Sequence, residues 1–152
     1  MENNLKRRAA GITTEQVDEL FDYIRMGNTE KVTEMLDTNP ALVNAVKNTP
    51  EYDEETPQLR TPLHCAAGYT NLVIPKLLIN RGASLEDTDA YGSAPLHLAS
   101  EYGRTEMAKL LLDEGANCKA VDKDGNTPLH FAKALKTHNT ADLLISRGAN
   151  PN

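Results

Sequence analysis

The sequence predicts an all-α repeat solenoid built from stacked helix–turn–helix pairs, and three observations predict it. The block Thr61-Pro62-Leu63-His64 recurs as Ala94-Pro95-Leu96-His97 and as Thr127-Pro128-Leu129-His130, each copy beginning 33 residues after the last. The dipeptides Gly82-Ala83, Gly115-Ala116 and Gly148-Ala149 keep the same interval. In the most regular copy, Met107, Leu110 and Leu111 fall at i, i+3 and i+4, the spacing of one helix face. Two independent markers with one period of this length describe supersecondary units stacked along an axis.

Bulk composition fits that plan and narrows the function. The chain has 152 residues, no Trp and few aromatics, which a ladder of Leu, Ile and Ala tolerates better than a single bulky core would. The net charge of −6 argues against nucleic acid, where Lys and Arg must neutralise phosphates. It tilts the expected protein partner towards a neutral or basic surface. No stretch approaches the ~20 apolar residues of a membrane span. The basic cluster Lys6-Arg7-Arg8 is followed by no apolar run, so the start does not read as a secretory signal. Cys65 and Cys118 lack metal or redox spacing and stand where other copies carry Leu or Phe, so they read as small buried apolar residues. The expectation is a monomer in a reducing compartment, cytosol or nucleus.

Taken in order, residues 1–12 read as a lead-in and a first pair covers roughly 14–45. Thr13 and Gln16 make a capping-box pattern ahead of Val17, Leu20, Phe21 and Ile24, which share a helix face. Gly27 ends that helix, and a second follows from about Thr29 to Asp37. Lys31 and Glu34 occupy positions equivalent to Met107 and Leu110, which suits a terminal pair with water on one side. The connection to Thr61 is about ten residues longer than its later counterparts. This insertion, near 46–57, contains Pro50, Pro57 and the acidic run Glu51-Tyr52-Asp53-Glu54-Glu55. It reads either as a solvated loop or as an acidic contact arm anchored by Tyr52.

The second repeat, near 56–88, starts with Thr61 as cap and Pro62 in the first helical position, where a missing N–H costs nothing. Pro75 falls inside its second helix, which predicts a late start that keeps the ring in the first turn. The third repeat, near 89–121, has one flaw: Ala94 lacks the capping oxygen of Thr61 and Thr127. The fourth, near 122–152, carries Lys133, Lys136, Thr137, His138, Asn139 and Thr140, a polar set suited to a repeat facing water.

Thr-Pro-Leu-His, followed by Ala-Ala or Leu-Ala, paired leucines and Gly-Ala, resembles the ankyrin repeat. The clear repeats cover about 56–152, with a degenerate one at 14–45. The resemblance implies a non-catalytic protein–protein interaction module that grips its partner along a concave groove and at the tips of hairpin-like fingers. Two sets of contact positions carry over. The fingertips map onto Gln58 and Arg60, then Ala90, Tyr91 and Ser93, then Lys123, Asp124 and Asn126. The ends of the first helices map onto Gly68 and Tyr69, Glu101 and Tyr102, Ala134 and Leu135. Tyr69, Tyr102 and Leu135 stand 33 residues apart and are expected to form a ridge. The alternative is a structural or regulatory segment of a larger protein, or a microbial or viral effector using the scaffold on a host protein.

Nothing in the chain calls for catalysis, a metal or a cofactor. His64, His97 and His130 sit in successive units, and stacked helices lie about 8–10 Å apart. A metal needs its ligand nitrogens ~2 Å from one ion. A histidine near a helix start can instead satisfy backbone groups that lack partners, and the resemblance implies bonding between neighbouring repeats. No serine lies in a nucleophile-elbow context, and Asp89, Gly92, Asp122 and Gly125 belong to turns that want those residues for backbone reasons. The acidic run lacks the alternating ligands and central glycine of a calcium loop.

Overall fold

The computed structural model describes residues 11–48 and 58–152. Among them are eight α-helices in four pairs: α1 (Thr14–Met26) with α2 (Thr29–Thr38), α3 (Pro62–Ala67) with α4 (Val73–Asn80), α5 (Pro95–Glu101) with α6 (Thr105–Asp113), and α7 (Pro128–Ala134) with α8 (His138–Ser146). A short 3₁₀ helix, Pro40–Asn44, follows the first pair. The first helices pack in the series α1–α3–α5–α7, and each second helix packs behind its own partner. This is the all-α stack that the period predicts.

The core repeats with the sequence. Leu63, Leu96 and Leu129 are buried in the first helices, as are Ala66, Ala99 and Ala132 one turn later. In the second helices Leu78, Leu111 and Leu144 do the same. Small alanines let the helices of a pair approach while the leucines interdigitate between pairs. Each fully buried leucine contributes roughly 1.5–3 kcal/mol relative to its exposed state, so the ladder needs no bulky centre. Thr140 corrects an expectation here. It counted among the polar residues of an outward-facing end, yet it is fully buried and its hydroxyl meets Thr105 Oγ1 at 2.8 Å. A hydrogen bond across the repeat boundary replaces what Met107 does by packing.

Local chemistry sets the helix ends. Thr13 and Gln16 form the expected reciprocal cap, with Gln16 N donating to Thr13 Oγ1 and Thr13 N donating to Gln16 Oε1. Pro75 is the third residue of α4, which begins one position later than α6 and α8 and is a residue shorter. The proline is thus accommodated in the first turn, where its absent N–H has no partner to lose. Lys31 and Glu34 are exposed and pair with each other at 2.8 Å, as a terminal face requires. Lys133, Lys136, His138 and Asn139 are exposed in the fourth repeat. Cys65 and Cys118 are half-buried rather than buried. Cys65 borders a cavity beside α3, and Cys118 Sγ reaches the Arg147 carbonyl at 3.5 Å.

Two predictions follow from the caps and turns. Ala94 has the backbone of Thr61 and Thr127 (φ −82°, ψ 166°) but no side-chain oxygen for the His97 N–H. Ala94→Thr is expected to stabilise by about 1 kcal/mol, read as a higher thermal midpoint. Gly92 and Gly125 share a left-handed φ near +80°, but a Cβ on Gly92 would lie 2.8 Å from Lys123 N, whereas Gly125 has open space. Gly125→Ala should therefore cost only the left-handed strain, about 1–2 kcal/mol. Gly92→Ala should cost clearly more in the same denaturant titration.

Candidate binding surface

The connecting fingers are ordered by their aspartates and by one another. Asp89 Oδ1 accepts the N–H groups of Tyr91 and Ser93, both at 2.9 Å. Asp122 Oδ1 accepts those of Asp124 and Asn126. Neighbouring fingers are joined by single backbone bonds, Ala90 N to Gln58 O and Lys123 N to Tyr91 O. Among the described residues the finger of the second repeat has no such aspartate. Asn48 supplies the acceptor instead, taking the Gln58 N–H at 3.1 Å. Lys47 and Arg60 exchange two backbone bonds of 2.8 Å, a single antiparallel bridge at the base of the insertion.

This architecture sorts the predicted contact residues. Tyr91, Lys123 and Asp124 are exposed on their fingers. Asn126 and Arg60 are half-buried. Ser93 is a correction: it is only 6% exposed, because its N–H is held by Asp89 and its carbonyl by Asp89 N and His64. Gln58 is buried for a related reason, lying under the next finger. Both are parts of the scaffold. Tyr52 lies outside the described residues. On the helix ends, Tyr69, Tyr102 and Leu135 are 40%, 41% and 53% exposed, and Glu101 is half-buried.

A cavity of about 490 Å³ opens between the first helices and the finger bases of the first three repeats. Tyr69 and Tyr102 line it together, beside Phe21, Cys65 and Gly68. So do four cations, Arg25, Lys47, Arg60 and Arg104. Only Arg60 is among the residues singled out by sequence. Arg25 and Lys47 carry ion pairs to Asp22 at 2.9 Å and Asp18 at 3.0 Å. Lys47 Nζ also sits 5.6 Å from the centre of the Phe21 ring, a cation–π arrangement. Arg104 Nε donates to the Gly68 carbonyl at 3.0 Å, tying the third repeat to the second.

The histidines bind the stack together. At each of His64, His97 and His130, Nδ1 accepts the N–H of the residue three positions earlier. That fixes the proton on Nε2 of the neutral ring. His64 Nε2 then donates to the Ser93 carbonyl at 2.8 Å, and His97 Nε2 to the Asn126 carbonyl at 3.0 Å. His130 is exposed and meets no such acceptor among the described residues. Within those residues no group of His, Cys, Asp and Glu is gathered as metal ligands would be. No helix among them is long and apolar enough to cross a membrane.

A stack of antiparallel helix pairs, joined by fingers that bond to one another and by histidines that bridge units, defines a repeat-scaffold protein. A family model described as ankyrin repeats (3 copies) matches residues 20–122 and, in a second placement, 85–152. The chain belongs to the ankyrin-repeat family, whose members are generally protein–protein interaction scaffolds. Comparison with curated proteins returns no match.

Burial of His64 pushes its pKa below the ordinary histidine value, with the bond to Ser93 opposing in part. The unfolded chain therefore binds a proton near pH 6.5 that the folded chain does not yet accept. Stability is fully present above that pH and is lost as pH falls towards the depressed folded value. Denaturation midpoints measured from pH 7.5 downwards are expected to fall more steeply in the wild type than in His64→Gln, which has nothing to titrate there.

Proposed function

We propose that this chain is a non-catalytic interaction module whose partner lies along the concave groove of the first helices and against the finger tips. The observation that carries this reading is the pair Tyr69 and Tyr102. Both rings are about two-fifths exposed, and both line the same cavity. A tyrosine that keeps two-fifths of its surface exposed in a cavity wall is placed for contact. It offers wide area with few rotamers to freeze, which is why tyrosines are enriched at binding hot spots. Tyr91 on the neighbouring finger, Lys123 and Asp124 beyond it, and Leu135 on the last first-helix end extend the same surface.

The mechanism is preorganisation. Finger-to-finger backbone bonds and histidine bridges hold the groove in shape before the partner arrives, so little conformational freedom is lost on binding. The test is capture of a partner on the immobilised wild type, followed by titration of that partner against wild type and Tyr102→Ala. Tyr102→Ala is expected to weaken binding by about 2 kcal/mol or more, with an unchanged thermal midpoint. Equal affinities would place the interface elsewhere.

A further inference from the structure

One position of the repeat stays exposed and apolar in every unit. Met26, Tyr69, Tyr102 and Leu135 each stand just before the turn that joins the two helices of a pair. In three of the pairs that turn closes alike, with the N–H two residues on donating to the carbonyl three residues back. Asn28 bonds Tyr23 in this way, Arg104 bonds Ala99 and Thr137 bonds Ala132. The residue between, Gly27, Gly103 or Lys136, has a left-handed φ of 69°, 64° or 57°. Met26 is thus the counterpart of Tyr102 in the first pair, which the 33-residue interval misses because the longer first connection intervenes. Among the described residues eight large apolar side chains are exposed, and these are four of them, Met26 the most open at 73%. Recurrence at one structural position marks a row rather than the scatter of single exposed residues that any surface shows.

The row has a fixed step. Its rungs end first helices packed side by side, which lie about 8–10 Å apart. A polyproline II helix has three residues per turn and a rise of about 3.1 Å, so it returns to one face every ~9.3 Å. A strand returns every second residue, about 6.8 Å, or every fourth, about 13.6 Å. Two turns of α-helix advance about 10.8 Å, past the range, and leave an idle turn between rungs. We propose that this row receives a proline-rich segment of a protein partner in the polyproline II conformation, with every third residue on Met26, Tyr69, Tyr102 or Leu135. Such a segment is already extended before it binds, and aromatic-lined grooves are the surfaces that take it.

Its carbonyls have no internal partners, so a matching surface must bring donors. Arg25 lines a hollow of about 170 Å³ together with Met26 and Tyr69, and Arg104 lines the larger cavity together with Tyr69 and Tyr102. Each guanidinium carries several N–H donors. One of them is bonded among the described residues, to Asp22 from Arg25 and to the Gly68 carbonyl from Arg104. This proposal rests on the reading that the groove is the binding surface, and it names the class of segment that the groove takes.

The probe is a fluorescein-labelled peptide of four Pro-Pro-Gln repeats, uncharged and about 37 Å long, enough to pass four rungs. One control, three Pro-Pro-Gln-Gln repeats, keeps the length and the conformation but changes the step to about 12.4 Å. A second control of the same length exchanges the prolines for Ala and Leu, which favour α-helix. All three are titrated by fluorescence polarisation against the wild type, Met26→Gln, Leu135→Gln and the double variant. Met26 and Leu135 are the most exposed rungs, so exchanging them leaves the core alone. The Pro-Pro-Gln peptide is expected to bind, at least about tenfold more weakly to the double variant and about threefold more weakly to each single one.

The proposal is overturned if either control binds as well as the Pro-Pro-Gln peptide, if the double variant keeps full affinity, or if no peptide binds. Should the double variant melt below the wild type, the single variants carry the same comparison. Where no peptide binds, the captured partner separates this proposal from the reading beneath it. If Tyr102→Ala weakens that partner, the groove remains the interface and only the class of segment is wrong.

Discussion

The stack depends on one arrangement of one side chain. In α3 and α5 an imidazole three residues into the helix, His64 or His97, turns Nδ1 back to its own cap residue and Nε2 forward to the next repeat. The two bonds are coupled through the tautomer. Because Nδ1 must accept an N–H, the proton must sit on Nε2, and a proton there has to find an acceptor. The carbonyls of Ser93 and Asn126 supply it at a distance of 29 residues in sequence. A local cap thereby becomes a non-local tie. Protonating Nδ1 would set a donor against a donor, which is why a buried, neutral ring is the form that holds the stack.

The first pair shows what is lost without the ring. Gln16 occupies the third helical position and accepts the Thr13 N–H as His64 accepts that of Thr61. The cap is complete, but it uses an amide in place of the ring that carries His64 forward to Ser93. Junctions elsewhere use side chains of other kinds. Lys47 spans from the insertion's base to Asp18 and Phe21 on α1. Arg81 reaches Asp37 at 2.5 Å, and Arg147 reaches Asp113 at 2.7 Å on the outer helices. These outer pairs are half-exposed and worth little each. The weight of cohesion lies with the leucine ladder and the buried imidazoles, where removal of one partner leaves a desolvated group behind.

What was legible in the sequence is what repeats. Caps, first-turn prolines, core leucines, the late start forced by Pro75 and the bridging histidines all follow from the 33-residue interval, because each answers the same backbone need in each unit. The cavity's lining was only half legible, for Tyr69 and Tyr102 keep the period. Arg25, Lys47 and Arg104 do not, since residues 25, 47, 60 and 104 share no interval and meet only when three repeats and the insertion's base are folded together. Ser93 failed differently. It stands two residues from the exposed Tyr91, and the bonds that hold it come from Asp89 and from His64 of another repeat.

Gly68 joins scaffold to site. Its φ of −81° is one any residue adopts, and an added Cβ would only rest against the Tyr102 ring at 3.6 Å. Neither backbone strain nor collision demands glycine here, unlike at Gly92. The counterparts one period on are Glu101 and Ala134. Position 68 lines the cavity with Tyr69 and Tyr102, and its carbonyl is the one that Arg104 holds. Arg104 is anchored there by Nε against the backbone and lines the same cavity. The smallest residue thus stands in a wall shared with two tyrosines and Arg104. Glycine at this position supplies neither a left-handed turn nor a needed clearance, so the stack's own stability does not call for it.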